Sequence, residues 1–120
     1  FTGGTPNMPA YYQAREGYRI IREVGVAAIR ENARRQSAIL IDGALERGLT
    51  VNTPRDFDRR GNHVTVDMPG AQQVKDELIR RGFVVDYRPG AGIRIAPHFY
   101  NRDDECVAIL DEIDAIRQGR

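Results

Sequence analysis

A chain of 120 residues, 41% hydrophobic and 29% charged, can bury a core without disulfide or metal staples and is too apolar to be intrinsically disordered. No apolar run approaches the roughly 20 residues that a transmembrane helix needs. The formal net charge of +1 excludes a polyelectrolyte, and the single cysteine, Cys106, excludes a disulfide framework and a cysteine zinc site, which fits a cytoplasmic protein.

The opening FTGGTPNMPA has no basic region followed by a long apolar one, so it does not read as a signal peptide. Its glycines, threonines and prolines predict an irregular segment over residues 1–10. Asn7 is placed to cap a helix starting near Pro9. Tyr11, Ala14, Tyr18 and Ile21 recur close to the helical period and are expected to be its buried face. Gly25 marks a bend before a longer helix. There Val26, Ile29, Ala33, Leu40, Ala44 and Leu45 form an apolar stripe, opposite Arg30, Glu31, Arg34 and Arg35. Gly48 is its expected stop.

The period then changes to two. LTVNT (49–53) predicts a short strand, PRDFDRRGN a polar turn, and HVTVDM (63–68) the next strand. In that strand Val64, Val66 and Met68 point one way, and His63, Thr65 and Asp67 the other. Pro69 opens a helix through Arg81, with Val74, Leu78 and Ile79 inside and Gly82 at its end. FVVDYR (83–88) and IRIAP (93–97) predict two strands paired antiparallel across PGAG. Asp103 is expected to cap a last helix whose apolar stripe is Val107, Leu110, Ile113 and Ile116.

The order α-α-β-β-α-β-β-α implies an α/β (α+β) fold, a small and mostly antiparallel sheet covered on one side by helices. With Val64, Val66, Ile93 and Ile95 under the helices, Arg94 points to the other face, together with Asp67 and Asp86. Arg94 then either pairs with one of these carboxylates or binds an anion.

Few residues offer other chemistry. His63 and His98 lie 35 residues apart on different elements, without metal-ligand spacing. Ser37, the only serine, has no nucleophile-elbow context. Cys106 follows Asp103, Asp104 and Glu105, whose charges disfavour a thiolate. GGTP resembles a phosphate-binding turn only loosely and has no Walker lysine. Seventeen of the 18 basic residues are arginine. Such an excess suits carboxylate or phosphate recognition, and a GC-rich codon bias gives it equally. The pairs Arg34–Arg35, Arg59–Arg60 and Arg80–Arg81 are scattered among acidic residues, so neither a nucleic-acid stripe nor a membrane surface is expected.

Two stretches carry a family resemblance. FTGGTPNMPAYYQAREGYRIIREVGVAAIRE resembles the segment that opens the C-terminal domain of class V aminotransferase-like, fold-type I enzymes, which use pyridoxal 5′-phosphate (PLP). The shared elements are Phe1, Gly4-Thr5-Pro6-Asn7, Gly17, Gly25 and Ile29-Arg30. VVDYRPGAGIRIAPHFYNRDDECVAILDEI resembles the end of the same enzymes. Within them Asp86, Arg88, Ile93, Arg94, Ala96, Pro97, Tyr100 and Asn101 are similar to the kynureninase pattern. HFYN departs from it, since kynureninases more often carry proline-leucine before the tyrosine. No cysteine lies between Val84 and Arg94, which sets the chain apart from cysteine desulfurases.

The resemblance implies a PLP-dependent enzyme that hydrolyses L-kynurenine to anthranilate and L-alanine, with other class V aminotransferases and epimerase-like enzymes as alternatives. It implies that Arg94 binds the substrate α-carboxylate and that Gly4 and Thr5 meet the PLP phosphate, often of the partner subunit. PLP chemistry needs a lysine to hold the cofactor and a carboxylate at its ring nitrogen. Lys75, the only lysine, lies on a helix away from both motifs. Residues 1–120 are therefore expected to be one domain, a C-terminal fragment holding no catalytic residue and inactive alone. Its partners would be an N-terminal PLP-binding domain and a second subunit of a homodimer. A stand-alone anion-binding α/β module using Arg94, and a nucleic-acid binder, are the competing readings.

Overall fold

The computed structural model describes residues 7–120. Contacts divide the chain into two units, one ending at Glu31 and one spanning Asn32–Arg120. Among the described residues no helix is long and apolar enough to cross a membrane.

In the first unit, α1 spans Met8–Val24. Asn7 caps it, its side chain accepting from the Ala10 N–H at 3.4 Å, and Pro9 sits in the first turn. The helix ends at Gly25, whose φ of +86° continues no right-handed helix. Arg19 bonds Glu16 and Glu23, one turn away on either side. The expected burial of Tyr11, Ala14, Tyr18 and Ile21 is not observed: α1 has no buried residue, and Tyr18 is 72% exposed. Spacing identifies which face of a helix is apolar. Burial additionally requires a surface to cover that face.

The second helix, α2, spans Val26–Glu46. Its start is open, with Val26 exposed and Ile29 half-buried. Within the second unit it buries Ala33, Gln36, Ser37, Leu40, Ile41 and Ala44, while Leu45 lies at the rim. The expected stripe thus held at Ala33, Leu40 and Ala44 and missed Ile41 and the two polar residues. Gly48 stops the helix as expected. Its N–H reaches the Leu45 carbonyl and the Leu49 N–H the Ala44 carbonyl, both at 2.9 Å, closing the orphan carbonyls of the last turn.

Four short strands follow: β1 (Thr50–Val51), β2 (Val64–Asp67), β3 (Asp86–Arg88) and β4 (Gly92–Ile95). β1, β2 and β3 lie inside their predicted stretches and are shorter than them, whereas β4 begins at Gly92, one residue before its predicted stretch, and ends at Ile95, two residues short of that stretch's end. They form one sheet in the order β1-β2-β4-β3 with every pair antiparallel. Helices cover one face. α3 (Ala71–Arg80) brings Val74 and Leu78 to the core, but Ile79 is half exposed, one position off the buried phase. α4 spans Asp103–Arg117, and its N-cap is Arg102 rather than Asp103. The Glu105 carboxylate accepts from the Arg102 N–H at 2.7 Å, so the acidic side chain that ties down this helix start is Glu105. The buried stripe of α4 is Cys106, Ile109, Leu110 and Ile113, and Val107 is exposed. The predicted stripe shared Leu110 and Ile113 with it and was set one residue out of phase at Val107.

The core lies between the helices and Val64, Val66, Ile93 and Ile95. Gly43 brings α2 and α4 together, since a Cβ there would stand 2.6 Å from a Leu110 methyl. Residues 54–62 are more than a polar turn. They contain one 3₁₀ turn (Phe57–Arg59), with the Phe57 ring buried beneath the Arg34 and Arg60 guanidinium groups at 4.4 and 4.9 Å.

Candidate functional site

The hairpin of β3 and β4 builds the site. The chain reverses over Pro89-Gly90-Ala91, with the Ala91 N–H on the Arg88 carbonyl at 3.0 Å. Asn52 holds the loop from the other side, its side-chain amide donating to the Ala91 carbonyl at 2.9 Å. Gly92 then passes so close to β2 that a Cβ would collide with the Val66 carbonyl and lie 2.8 Å from the Asp67 Cβ. This close passage fixes the register. Arg94 stands opposite Asp86 on one side and Thr65 on the other.

Side chains alternate across the sheet. Ile93, Ile95 and Tyr87 turn toward the helices, and Arg94, Asp86 and Arg88 to the opposite face. There the Arg94 Nη2 donates to Asp86 Oδ2 at 2.8 Å, and the Arg88 Nη2 lies 2.9 Å from the same oxygen. Of the two carboxylates expected beside Arg94, Asp86 is the partner. Asp67 instead accepts from the Met68 N–H at 3.0 Å. The Arg94 side chain is 39% exposed. A guanidinium has five N–H donors, and Asp86 engages one nitrogen of Arg94, so the rest of the fork is open to an anion.

The floor of this face is partly dry. Thr53 folds over β2, its Oγ1 accepting from the Thr65 N–H at 2.8 Å, and Thr53 and Thr65 are both buried. Beyond β4, Asn101 organises the loop to α4. Its Oδ1 accepts from the His98 N–H at 2.8 Å and its Nδ2 donates to Glu105 at 3.1 Å. Tyr100 is exposed and stacks on His98 at 4.7 Å. This bonding role of Asn101 was not legible in sequence, although an asparagine two residues before a helix start is a signal for it.

The remaining candidates scatter. Among the described residues no group of three His, Cys, Asp or Glu side chains could hold a metal. Cys106 is buried; burial, then the charges of Asp103 and Glu105, push its thiol from 9.0 up to about 11. Lys75 lies on α3 against Asp76, in the helix layer and away from the Arg94 face. Arg80 and Arg81 both pair with Glu77. Gly4 and Thr5 lie outside the described residues. Hollows of about 750 and about 640 Å³ exist elsewhere, and neither includes Arg94. Arg94 thus lies outside both hollows, on a partly exposed face of the sheet.

Residues 29–113 match the family profile described as the kynureninase C-terminal domain. An uncharacterized aminotransferase, YcbU, from Bacillus subtilis is 28% identical over 122 residues, covering 96% of this chain and 30% of that protein. A kynureninase from Bacillus cereus is 29% identical over 118 residues, covering 92% of this chain and 28% of the enzyme. The chain therefore spans under a third of the curated relatives it matches. A cysteine desulfurase from Thermococcus onnurineus, solved in its apo form, shares the fold with a TM-score of 0.86 at 21% identity, over 100% of this chain and 34% of that one. A NifS-like protein shares it with a TM-score of 0.80 at 20% identity, over 98% of this chain and 36% of that one.

Proposed function

This chain belongs to the kynureninase C-terminal domain family, and from that premise we propose that it is the small domain of a PLP-dependent enzyme that acts on an amino acid, hydrolysing L-kynurenine to anthranilate and L-alanine. The observation that carries the reading is Arg94, held from one side by Asp86 with the rest of its fork exposed on the open face of the sheet. A planar fork of this kind makes two parallel charge-assisted bonds to a carboxylate and fixes the orientation of the atoms beyond it. Arg94 is the residue that binds the substrate α-carboxylate in this reading.

Bound PLP supplies the electron sink that weakens bonds at the substrate Cα. In this reading the chain serves the substrate and phosphate side of such a site. Gly4 and Thr5 would offer amide and hydroxyl donors to the phosphate. They do not supply the lysine that holds the cofactor, because Lys75 is engaged with Asp76 in the helix layer. Residues 1–120 are then one domain that works with a PLP-binding domain elsewhere in the same protein, in a cytoplasmic homodimer, and has no catalytic residue of its own.

The test is Arg94→Ala in the complete protein. KM for L-kynurenine should rise by about 100-fold, the loss of two charge-assisted hydrogen bonds, while kcat and the cofactor absorbance stay in place. An unchanged KM removes Arg94 from the site. A second reading, an aminotransferase on the same fold, is supported by the likeness to YcbU. Formation of a keto acid from an amino acid, with no anthranilate released from kynurenine, would select it.

A further inference from the structure

Asp86 does not serve Arg94 alone. Asp86 Oδ2 accepts from Arg94 across the strands and also contacts Arg88, two residues along its own strand and so on the same face. We propose that Asp86 is a positioning residue for Arg94, and that Arg88 supplies the charge that keeps the pair a receptor for a ligand with a single carboxylate. The proposal rests on the reading of Arg94 as the carboxylate site.

Two physical requirements lead to it. An arginine on an exposed strand face has several rotamers, and a fork binds in bidentate fashion only if its plane is fixed first. The register puts Asp86 directly opposite Arg94, and the bond at 2.8 Å ties down Nη2 on the β3 side. The rest of the guanidinium is left for the ligand. The same bond creates a difficulty. Asp86 and Arg94 together are neutral, and the Asp86 carboxylate repels an incoming carboxylate. Arg88, also within 2.9 Å of Oδ2, makes the trio Arg88, Asp86 and Arg94 carry one net positive charge. That charge matches a ligand with one carboxylate facing the trio. A second carboxylate would meet no counter-charge in it.

Orientation and charge make opposite demands on Asp86, and this separates the proposal from a merely structural ion pair. Removing Asp86 raises the net charge to two positive, so electrostatics alone predicts tighter carboxylate binding and steeper salt dependence. Positioning predicts weaker binding. Removing Arg88 leaves Arg94 oriented but the trio neutral, so binding weakens and its salt dependence flattens.

The experiment measures the Kd of L-kynurenine from the concentration dependence of the first absorbance change after rapid mixing, before turnover, on the complete PLP-loaded protein, at low and high ionic strength, for the unchanged protein and for D86A, D86N, R88Q and R94A. D86A should weaken binding by about fivefold, the scale of a partly exposed charged pair, and steepen the salt dependence. D86N should recover part of the loss, because its amide oxygen still accepts from Arg94. R88Q should weaken binding by about threefold and flatten the salt dependence. Tighter or unchanged binding in both Asp86 variants overturns the positioning role. An unaltered salt dependence in R88Q overturns the charge role. If R94A binds as the unchanged protein does, or the unchanged protein binds no kynurenine, the underlying carboxylate reading fails and takes this one with it. A large loss in R94A with silent Asp86 and Arg88 variants overturns this proposal alone.

Discussion

The Gln36 side chain, fully buried in α2, donates its amide to the main-chain carbonyl of Asn101 across 2.7 Å. Asn101 lies in the loop that leaves β4 a few residues after Arg94 and leads into α4. Asn32 completes the arrangement, donating to the Gln36 side-chain oxygen at 3.0 Å, and Arg35 reaches Asp103 at 2.8 Å. α2 thus ties down the loop through buried and surface hydrogen bonds.

Gln36→Leu keeps the volume and removes the donor, leaving the Asn101 carbonyl without its buried partner. The expected cost is about 1–3 kcal/mol, the penalty of an unsatisfied buried polar group. Urea unfolding measures it as a lower midpoint at unchanged slope. A midpoint equal to that of the unchanged chain would mean that water replaces the bond.

Gly92→Ala tests the close passage that sets the register of Arg94. The added methyl would meet the Val66 carbonyl, which is backbone and cannot turn aside, at a position whose φ is +99°. Overpacking and a left-handed conformation each cost on the order of 1–3 kcal/mol, so a loss of roughly 3 kcal/mol or more is expected. Gly43→Ala is the comparison. Its methyl would meet the end of the Leu110 side chain, which can rotate, and a smaller loss is expected. Thermal unfolding of the two variants should rank them in that order.

Much of this architecture was legible because it is local. Gly25, Gly48 and Gly82 end their helices where a positive φ is needed, and the change of period from 3.6 to two marks where the helices give way to strands. The placement of Arg94 on the face away from Ile93 and Ile95 followed from alternation along its own strand. What escaped was set by contacts between distant segments. Gln36 and Ser37 are buried because Asn101 and the Arg34 carbonyl satisfy them, and no pattern of apolar residues reports that. Phe57 looked like part of a polar turn because its cover is two arginines. At the site, the choice of Asp86 over Asp67 depends on Asp67 turning to the Met68 N–H, a rotamer that residue type does not disclose.

Cys106 is predicted to be inert. Its thiol is buried and, by burial first and then by Asp103 and Glu105, pushed up from 9.0 to about 11. The folded chain should not react with an aromatic disulfide reagent at pH 8 on a timescale on which the urea-unfolded chain reacts fully. Because the folded thiol ionises later than the unfolded one, its contribution to stability is complete below pH 9 and is lost as pH rises from 9 toward 11. Cys106→Ala should remove that alkaline decline while lowering stability at neutral pH through the cavity it leaves.

Acid should destabilise the chain through three surface carboxylates. Arg81 and then Arg80 hold Glu77 below its usual 4.5, the Arg102 guanidinium lowers Asp104, and the Arg102 N–H with the Asn101 amide lowers Glu105. Each carboxylate ionises at lower pH in the folded chain than in the unfolded one. Their stabilisation is therefore present above pH 4.5 and is lost as pH falls through the depressed folded values. Glu105 also accepts from the N–H at the start of α4, so its protonation loosens that helix end as well as an ion pair. The melting temperature should fall steadily below pH 4.5, and Glu77→Gln should make that fall shallower without altering it above pH 6 beyond a constant offset. High salt should shrink the Glu77 part, since its partners lie at the surface, and spare the Glu105 part, which is a hydrogen bond to backbone. A melting temperature that falls equally steeply in Glu77→Gln would assign the acid sensitivity to other carboxylates.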